Sequence, residues 1–428
     1  MKVLIIGSGG REHALAWRVA REPGVGEVLA CPGNPGIASV ARLHPSPPGE
    51  AGLADLAERE RVDLTIVGPE LPLSEGVVDL FRARGLPIVG PSKGAASLET
   101  SKGFAKMFMA RHGVPTARYR VCASEDEART VVSRGELGLP VVVKADGLAA
   151  GKGVVVAPDR EAAFEAIAAM MRDRRFGSAG ARVVLEECLD GPELSLFVLS
   201  DGERVVPLGT AQDHKRAFDE DRGPNTGGMG AFAPSPLADA SLQDCVLREI
   251  VEPVIRGMRD EGTPYAGFLY CGLMLTTDGP KVIEFNVRFG DPEAQVVLPL
   301  LTGDVIGALG AAAAGDLRGA RLGIAQERTV GVVVASGGYP DHYQTGLPIL
   351  GVDEAEALPG VVVFHAGTAL SDGRLVTAGG RVLTVVAIGD DFQSARARAY
   401  EGASHIRFQG LHMRRDIGLK AVTATGRA

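Results

Sequence analysis

The feature that most constrains the fold is a junction repeated through the first hundred residues, in which a short apolar, β-branched run stops at glycine and passes into a helical stretch. Lys2-Val3-Leu4-Ile5-Ile6-Gly7 leads through Ser8-Gly9-Gly10 into a helical pattern from Arg11 to Arg21. Glu27 to Ala30 runs into Pro32-Gly33-Asn34-Pro35-Gly36, Asp63 to Val67 into Gly68-Pro69-Glu70, and Leu86 to Val89 into Gly90-Pro91-Ser92. Strands separated by helices predict an open parallel α/β sheet with its ligand loops at the carboxyl ends of the strands. The 57 glycines in 428 residues, about twice the ordinary share, suit tight turns and close backbone approach to ligands.

The character changes further on. Val141 to Lys144 and Val154 to Ala157 are joined by a Gly-rich loop too short for a helix, which predicts a hairpin. Strands near 183–187, 194–199, 269–275 and 281–285 predict a largely antiparallel sheet with helices on one side. Short β runs at Val330 to Ala335, Val361 to His365 and Val382 to Ile388, then a helix from Phe392 to Ile406, predict a small third unit. The fold class expected is therefore multidomain α/β and α+β, divided at 1–101, 102–325 and 326–428, with the segment around 120–190 as a Gly-rich lid.

Charge and composition exclude several functions. With 45 Lys and Arg against 53 Asp and Glu the net charge is −8, so no global attraction to nucleic acid or anionic membrane is expected. Apolar runs fall short of a membrane span, and MKVLIIGSGG lacks the form of a signal peptide, which predicts a cytoplasmic chain. Five scattered cysteines without C-x-x-C spacing predict buried thiols rather than disulfides or zinc.

Several loops could carry chemistry. Gly7 to Glu12 approaches the dinucleotide fingerprint, but Glu12 stands where the third glycine belongs and strand two ends without an acidic residue, which argues against NAD. An anion site at the helix start, helped by Arg11 or His13, remains, beside the alternative of a structural turn. In Lys144 to Gly153 the glycine spacing and the absence of Ser or Thr after Lys152 exclude a Walker A loop. A Gly-rich hairpin over triphosphate, or an ordinary exposed hairpin, fits instead. Glu284, Asn286 and Arg288 alternate along one strand face, which suits Mg²⁺ and phosphate, although solvent-facing residues alternate in the same way. Asp213-His214-Lys215-Arg216, followed by a Gly-rich tail to Gly230, could hold a zwitterion and a phosphate or form a solvated loop.

Together these residues resemble the ATP-grasp ligases, and among them the phosphoribosylamine–glycine ligase family of purine biosynthesis. The resemblance spans nearly the whole chain through GSGGREHALAW (7–17), PGNPG (32–36), VGPELPL (67–73), GPSKGAASLETSK (90–102), KADGLAAGKGV (144–154), the acidic run at 186–195, QDHKRAFDEDRGPNTGGMG (212–230) and EFNVRFGDPE (284–293). It implies that ATP, glycine and 5-phosphoribosylamine give glycinamide ribonucleotide, ADP and phosphate through glycyl phosphate. It further implies Mg²⁺ or Mn²⁺ on Glu284 and Asn286, and ATP held by Lys102, Lys144, Gly151, Glu186, Glu187, Leu189 and Glu193. Substrates would meet Gly9, Gly10, Asn34, Asp213, Lys215, Arg288 and Asp291, with Arg288, Lys144 and Asp213 closest to the chemistry. The strand Leu269 to Leu275 lacks the second metal-binding Glu of related carboxylases, so one tightly bound ion is expected. A monomer is expected, with a dimer as the alternative. Competing readings are an ATP-grasp ligase with other acceptors and a nucleotide-binding regulator without turnover.

Overall fold

The computed structural model describes residues 1–149 and 153–425. The first unit is a five-stranded parallel sheet in the order Arg42–Leu43, Glu27–Pro32, Lys2–Gly7, Leu64–Val67, Ile88–Val89. Its central strand is apolar because both faces are covered. Leu4 and Ile6 face Leu53, Leu56 and Phe81, while Val3 and Ile5 face Ala14, Leu15 and Val19 of the helix Gly10–Val19. The strand order reverses at Lys2–Gly7, which puts the loop from Gly7 to Gly10 at the crevice where such sheets bind ligands.

The second unit is an antiparallel sheet in the order Tyr119–Cys122, Val183–Glu187, Val141–Ala145, Val154–Ala157. The hairpin expected from the Gly-rich loop is formed, with Val141 opposite Ala157 and Lys144 opposite Val154. Helices Glu125–Arg134 and Arg160–Ile167 begin at caps, Glu127 N–H donating to Ser124 Oγ and Ala162 N–H to Asp159 Oδ1. They close a core of their own around Cys122, Val131, Val143, Ile167 and Leu185.

Most of the remaining chain builds one eight-stranded antiparallel sheet. Its order is Gly279–Asn286, Ala266–Thr276, Glu193–Asp201, Val205–Asp213, Gly230–Ala233, Arg328–Ala335, Arg381–Gly389, Val361–His365. The strands after residue 326 thus continue the sheet begun before it, Gly230 pairing with Val332 and Ala233 with Thr329. Helix Phe392–His405 covers the far half of this sheet, burying Phe392, Ala395 and Ala399 against Val332 and Val385. Among the described residues the five cysteines are free, and no helix is long and apolar enough to cross a membrane.

Candidate active site

The site is built outward from the strand Gly279–Asn286. Its ladder with Ala266–Thr276 slips by one residue, so that Glu284 stands opposite Gly272 while Val282 stands opposite Leu273. A side chain at Gly272 would place its Cβ 3.2 Å from Glu284 Cγ, so the glycine leaves that carboxylate its space. Burial opposes ionisation of Glu284, but Lys215, Lys144, Lys102 and Arg288 together hold its pKa below the usual carboxylate range. Asn286 is 8% exposed and its Nδ2 is buried without a hydrogen-bond partner among the described residues. A half-turn of the amide presents Oδ1 at the same place, so this unpaired end fits a cation ligand. Two hard oxygen donors from one strand suit Mg²⁺ or Mn²⁺, with water and phosphate oxygens completing the shell. No group of three His, Cys, Asp or Glu side chains offers a metal cage among the described residues.

Cations converge on this strand from two other elements. Lys144 is the last residue but one of Val141–Ala145, with its Nζ 3.2 Å from Ile283 O and 2.8 Å from Glu186 Oε1. The other oxygen of Glu186 lies 2.7 Å from the Nζ of Lys106, which also donates to Thr116 Oγ1. Glu186 is held ionised against the penalty of burial by these two lysines. Lys102, at the start of helix Lys102–Arg111, donates to Gly147 O at 3.1 Å; burial lowers its pKa despite the nearby Glu284 carboxylate. Asp146 anchors that helix start by accepting from Gly103 N–H at 2.6 Å and Ser101 Oγ at 3.0 Å.

The acidic residues after Glu186 and their neighbours part company. Glu187 turns outward and accepts from both Arg118 N–H and Arg118 Nε, at 2.9 and 2.6 Å. Leu189 is half-buried beyond the strand end. Glu193 opens the strand Glu193–Asp201 and meets Lys215 Nζ at 2.5 Å. Asp213 ends Val205–Asp213, in the midst of Lys215, Glu293, Glu193 and Glu284. Burial is the main influence on Asp213, and with the three carboxylates it outweighs Lys215 and raises the pKa to about 8. Burial disfavours the Lys215 ammonium, but Glu193 and Asp213 hold its pKa well above the ordinary value. Gly151 lies outside the described residues.

Arg288 is gripped by two carboxylates from earlier in the chain, Glu99 Oε1 at 2.9 Å and Glu70 Oε2 at 3.2 Å. Glu99 also accepts from Val287 N–H at 2.7 Å, and it sits behind the strand end that carries Asn286. Asp291 Oδ1 accepts from Gln295 Nε2 at 2.7 Å and Oδ2 from Arg381 Nη2 at 2.9 Å. Arg381 also binds the carbonyls of Gly227 and Asp291, fastening the loop of residues 223–230 to that of 288–293.

In the first unit, Gly9 N–H donates to Glu12 Oε2 at 2.6 Å, and a Cβ on Gly68 would sit 2.2 Å from Glu12 Oε1. Glu12 therefore fills the glycine cradle at the helix start, and this is why a glutamate can stand where a dinucleotide fold keeps glycine. Gly10 packs against Gln295, whose Nε2 would lie 2.5 Å from a Cβ there. The side-chain amide of Asn34 is fully engaged, Nδ2 donating to Ser8 O and His365 O and Oδ1 accepting from Ile37 N–H.

Lys102, Lys144, Asp213, Lys215, Glu284 and Arg288 are thus electrostatic neighbours, while Glu187 and the Asn34 side chain are committed to contacts of their own. Lys106, Glu99 and Arg381 escaped the reading of the sequence. Lys106 carried one signal, its i,i+4 relation to Lys102 on a helix. Arg381 carried none, since its partners are far away in the chain.

Comparisons with known proteins agree along the whole chain. Residues 1–99 match the N domain of phosphoribosylglycinamide synthetase, 100–294 its ATP-grasp (A) domain, and 329–420 its C domain. A phosphoribosylamine–glycine ligase of Ralstonia nicotianae is 51% identical, covering 99% of this chain and 100% of its own. One of Pseudomonas aeruginosa is 52% identical, over 99% and 98%. The crystal structure of the Thermotoga maritima phosphoribosylamine–glycine ligase superposes with a TM-score of 0.85 at 36% identity, covering 97% of this chain and 100% of that one. With family models matching residues 1–99, 100–294 and 329–420 and relatives about half identical over 99% of its length, the chain belongs to the phosphoribosylglycinamide synthetase family of ATP-grasp ligases.

Proposed function

We propose that this chain joins glycine to 5-phosphoribosylamine at the expense of ATP, releasing glycinamide ribonucleotide, ADP and phosphate in purine biosynthesis. The observation that carries the reading is the 51% identity to a ligase of that name across 99% of the chain. Attack of the glycine carboxylate on the γ-phosphate brings anions together, and the cations around Glu284 supply the opposing charge. Lys102 and Lys144 hold the phosphates, and Arg288, braced by Glu70 and Glu99, faces the transferring group.

Glu284 and Asn286 would hold Mg²⁺ or Mn²⁺, which would supply positive charge against the triphosphate during transfer. Asp213, Lys215 and Asp291 receive the zwitterion and the amine, with the loop at Gly9 and Gly10 closing the sugar-phosphate end. Glu193 takes the ATP ribose, while Glu186, Glu187 and Leu189 border the adenine side. Glycyl phosphate must meet the amine before water, so a cover over the site is useful, and the 119–187 sheet, which packs its own core, is suited to move as one body. We take the protein to be cytoplasmic and a monomer, with a dimer as the alternative that small-angle scattering decides.

The test is glycine-dependent ADP release from Mg·ATP, with and without freshly generated 5-phosphoribosylamine, and the product identified by mass. Release that needs both acceptors and yields the mass of glycinamide ribonucleotide is expected. ADP released with some other carboxylate or amine would overturn the substrate assignment and leave the fold.

A further inference from the structure

Two buried lysines straddle one buried carboxylate. Lys106 and Glu186 are 2% and 3% exposed, and Lys144 is 4% exposed. The contacts form an unbroken chain: Val282 O accepts from Thr116 Oγ1 at 2.6 Å, Thr116 Oγ1 accepts from Lys106 Nζ at 2.7 Å, and Lys106 Nζ meets Glu186 Oε2 at 2.7 Å. From Glu186 Oε1 it is 2.8 Å to Lys144 Nζ, which returns to Ile283 O at 3.2 Å. Both ends of the chain therefore land on adjacent carbonyls of the strand that carries Glu284 one residue later.

We propose that Lys106 is a positioning residue of the nucleotide site: by holding one oxygen of Glu186 it leaves the other to fix the Lys144 ammonium beside the Glu284 strand. The physical reason is charge balance. A buried carboxylate with a single cation partner draws that cation fully onto itself, whereas one shared between two lysines leaves part of the Lys144 charge available to phosphate. Thr116 fixes the height of Lys106 by accepting one of its protons, and the hydroxyl in turn is oriented by Val282 O. Lys106 itself need not touch nucleotide, being walled in by Thr116 and Glu186.

The pairing also has a titration signature. Burial lowers the Lys106 pKa to about 8, with Glu186 and Glu187 opposing the fall and Lys144 adding to it. The elements packed on its helix bring Lys281 and Glu284 on the strand Gly279–Asn286, and Glu99 on the short helix Ser97–Thr100. When Lys106 loses its proton, Glu186 keeps Lys144 as its remaining ammonium partner and nucleotide phosphate is held less well.

The inference rests on the ligase reading for its context, so its test measures nucleotide binding without glycine or amine. Full-length wild type, Lys106→Met and Lys106→Arg are titrated with Mg·ADP by calorimetry across pH 6.5 to 9.5, with melting curves to confirm folding. Lys106→Met is expected to weaken Mg·ADP by about tenfold or more at pH 7, the scale of losing an outer-shell partner, and Lys106→Arg to recover most of it. Wild-type affinity should fall as pH rises through about 8, and Lys106→Arg should lose that limb because a guanidinium keeps its proton. A folded Lys106→Met within about twofold of wild type, wild type that fails to bind Mg·ADP, or an unchanged alkaline limb in Lys106→Arg, each overturns the proposal. Should Lys106→Met fail to fold, the pH profile of Lys106→Arg decides alone. Absence of glycine-dependent turnover would count against the ligase reading and leave this binding result standing.

Discussion

Arg288 Nη2 and Glu99 Oε1 form an ion pair of 2.9 Å in which both side chains are largely buried, at 16% and 8% exposure. The pair joins the helix Ser97–Thr100 to the residues that follow the Glu284 strand, and Glu70 reinforces it from the first unit. Burial weighs against Arg288, but the two carboxylates raise its pKa, so the guanidinium stays charged wherever the protein is folded. Breaking a buried pair strands the remaining charge. Glu99→Ala should therefore destabilise the protein by about 3 kcal/mol in urea unfolding, toward the lower end for such pairs because Glu70 still holds Arg288. A change under about 1 kcal/mol would show that Arg288 does not depend on Glu99.

Glu284→Ala should abolish turnover while the melting transition persists, because the residue stands at the strand end facing cations rather than in a core. The expected fall in kcat is more than about 100-fold, beyond what loss of an outer-shell partner causes. ADP release with Mg²⁺ at the wild-type rate would remove Glu284 from the metal site. Lys144→Ala should lower turnover and raise the KM for ATP together, since the Lys144 ammonium is held next to that strand.

The Asp213 pKa, raised by burial from 3.8 to about 8, carries a sign that can be checked. Between these values the folded chain keeps a proton that the unfolded chain has released, so stability falls as pH rises through that window. Asp213→Asn has no proton to lose. Its melting temperature relative to wild type, both without ligands, should climb steadily from pH 5 toward pH 8. A difference that stays constant over that range would mean Asp213 titrates normally.

Asn34 and His13 grip the backbone of one residue, His365, through the two peptide groups that flank its Cα. His365 O accepts from Asn34 Nδ2, and His365 N–H donates to His13 Nδ1, each at 2.8 Å. Asn34→Ala takes their side-chain partner from the buried Ile37 N–H and His365 O and should cost about 3 kcal/mol by denaturant unfolding, with a loss below about 0.5 kcal/mol counting against the clamp. His13 accepts only while neutral, and burial, with smaller contributions from His365 and Arg21, lowers its pKa to about 3. The unfolded chain thus binds the extra proton first. Stability is present above pH 6.5 and is lost as pH falls from there toward 3, which acid titration of the melting temperature should follow.

The amino-acid sequence by itself determined what depends on near neighbours. Glycine turns after β-branched runs marked the parallel sheet, the short loop after Lys144 marked its hairpin, and a period of two placed Glu284 and Asn286 on one strand face. These are local because backbone conformation and side-chain direction repeat over a few residues. Motif resemblance then supplied the family, with which the comparisons agree over 99% of the chain.

Tertiary structure alone decided the pairings. Arg288 meets Glu99 and Glu70 across 189 and 218 residues, and Asn34 meets His365 across 331. Lys106 finds Glu186 and so reaches Lys144, and strands from either side of residue 326 share one sheet. Hydrogen bonds and ion pairs depend on distance in space, and a partner hundreds of residues away leaves no periodic trace near either residue. Glu12 shows the limit most plainly: its position in the helix start was visible, but that its carboxylate fills the cradle among Gly7, Gly9 and Gly68 follows only from how those loops pack.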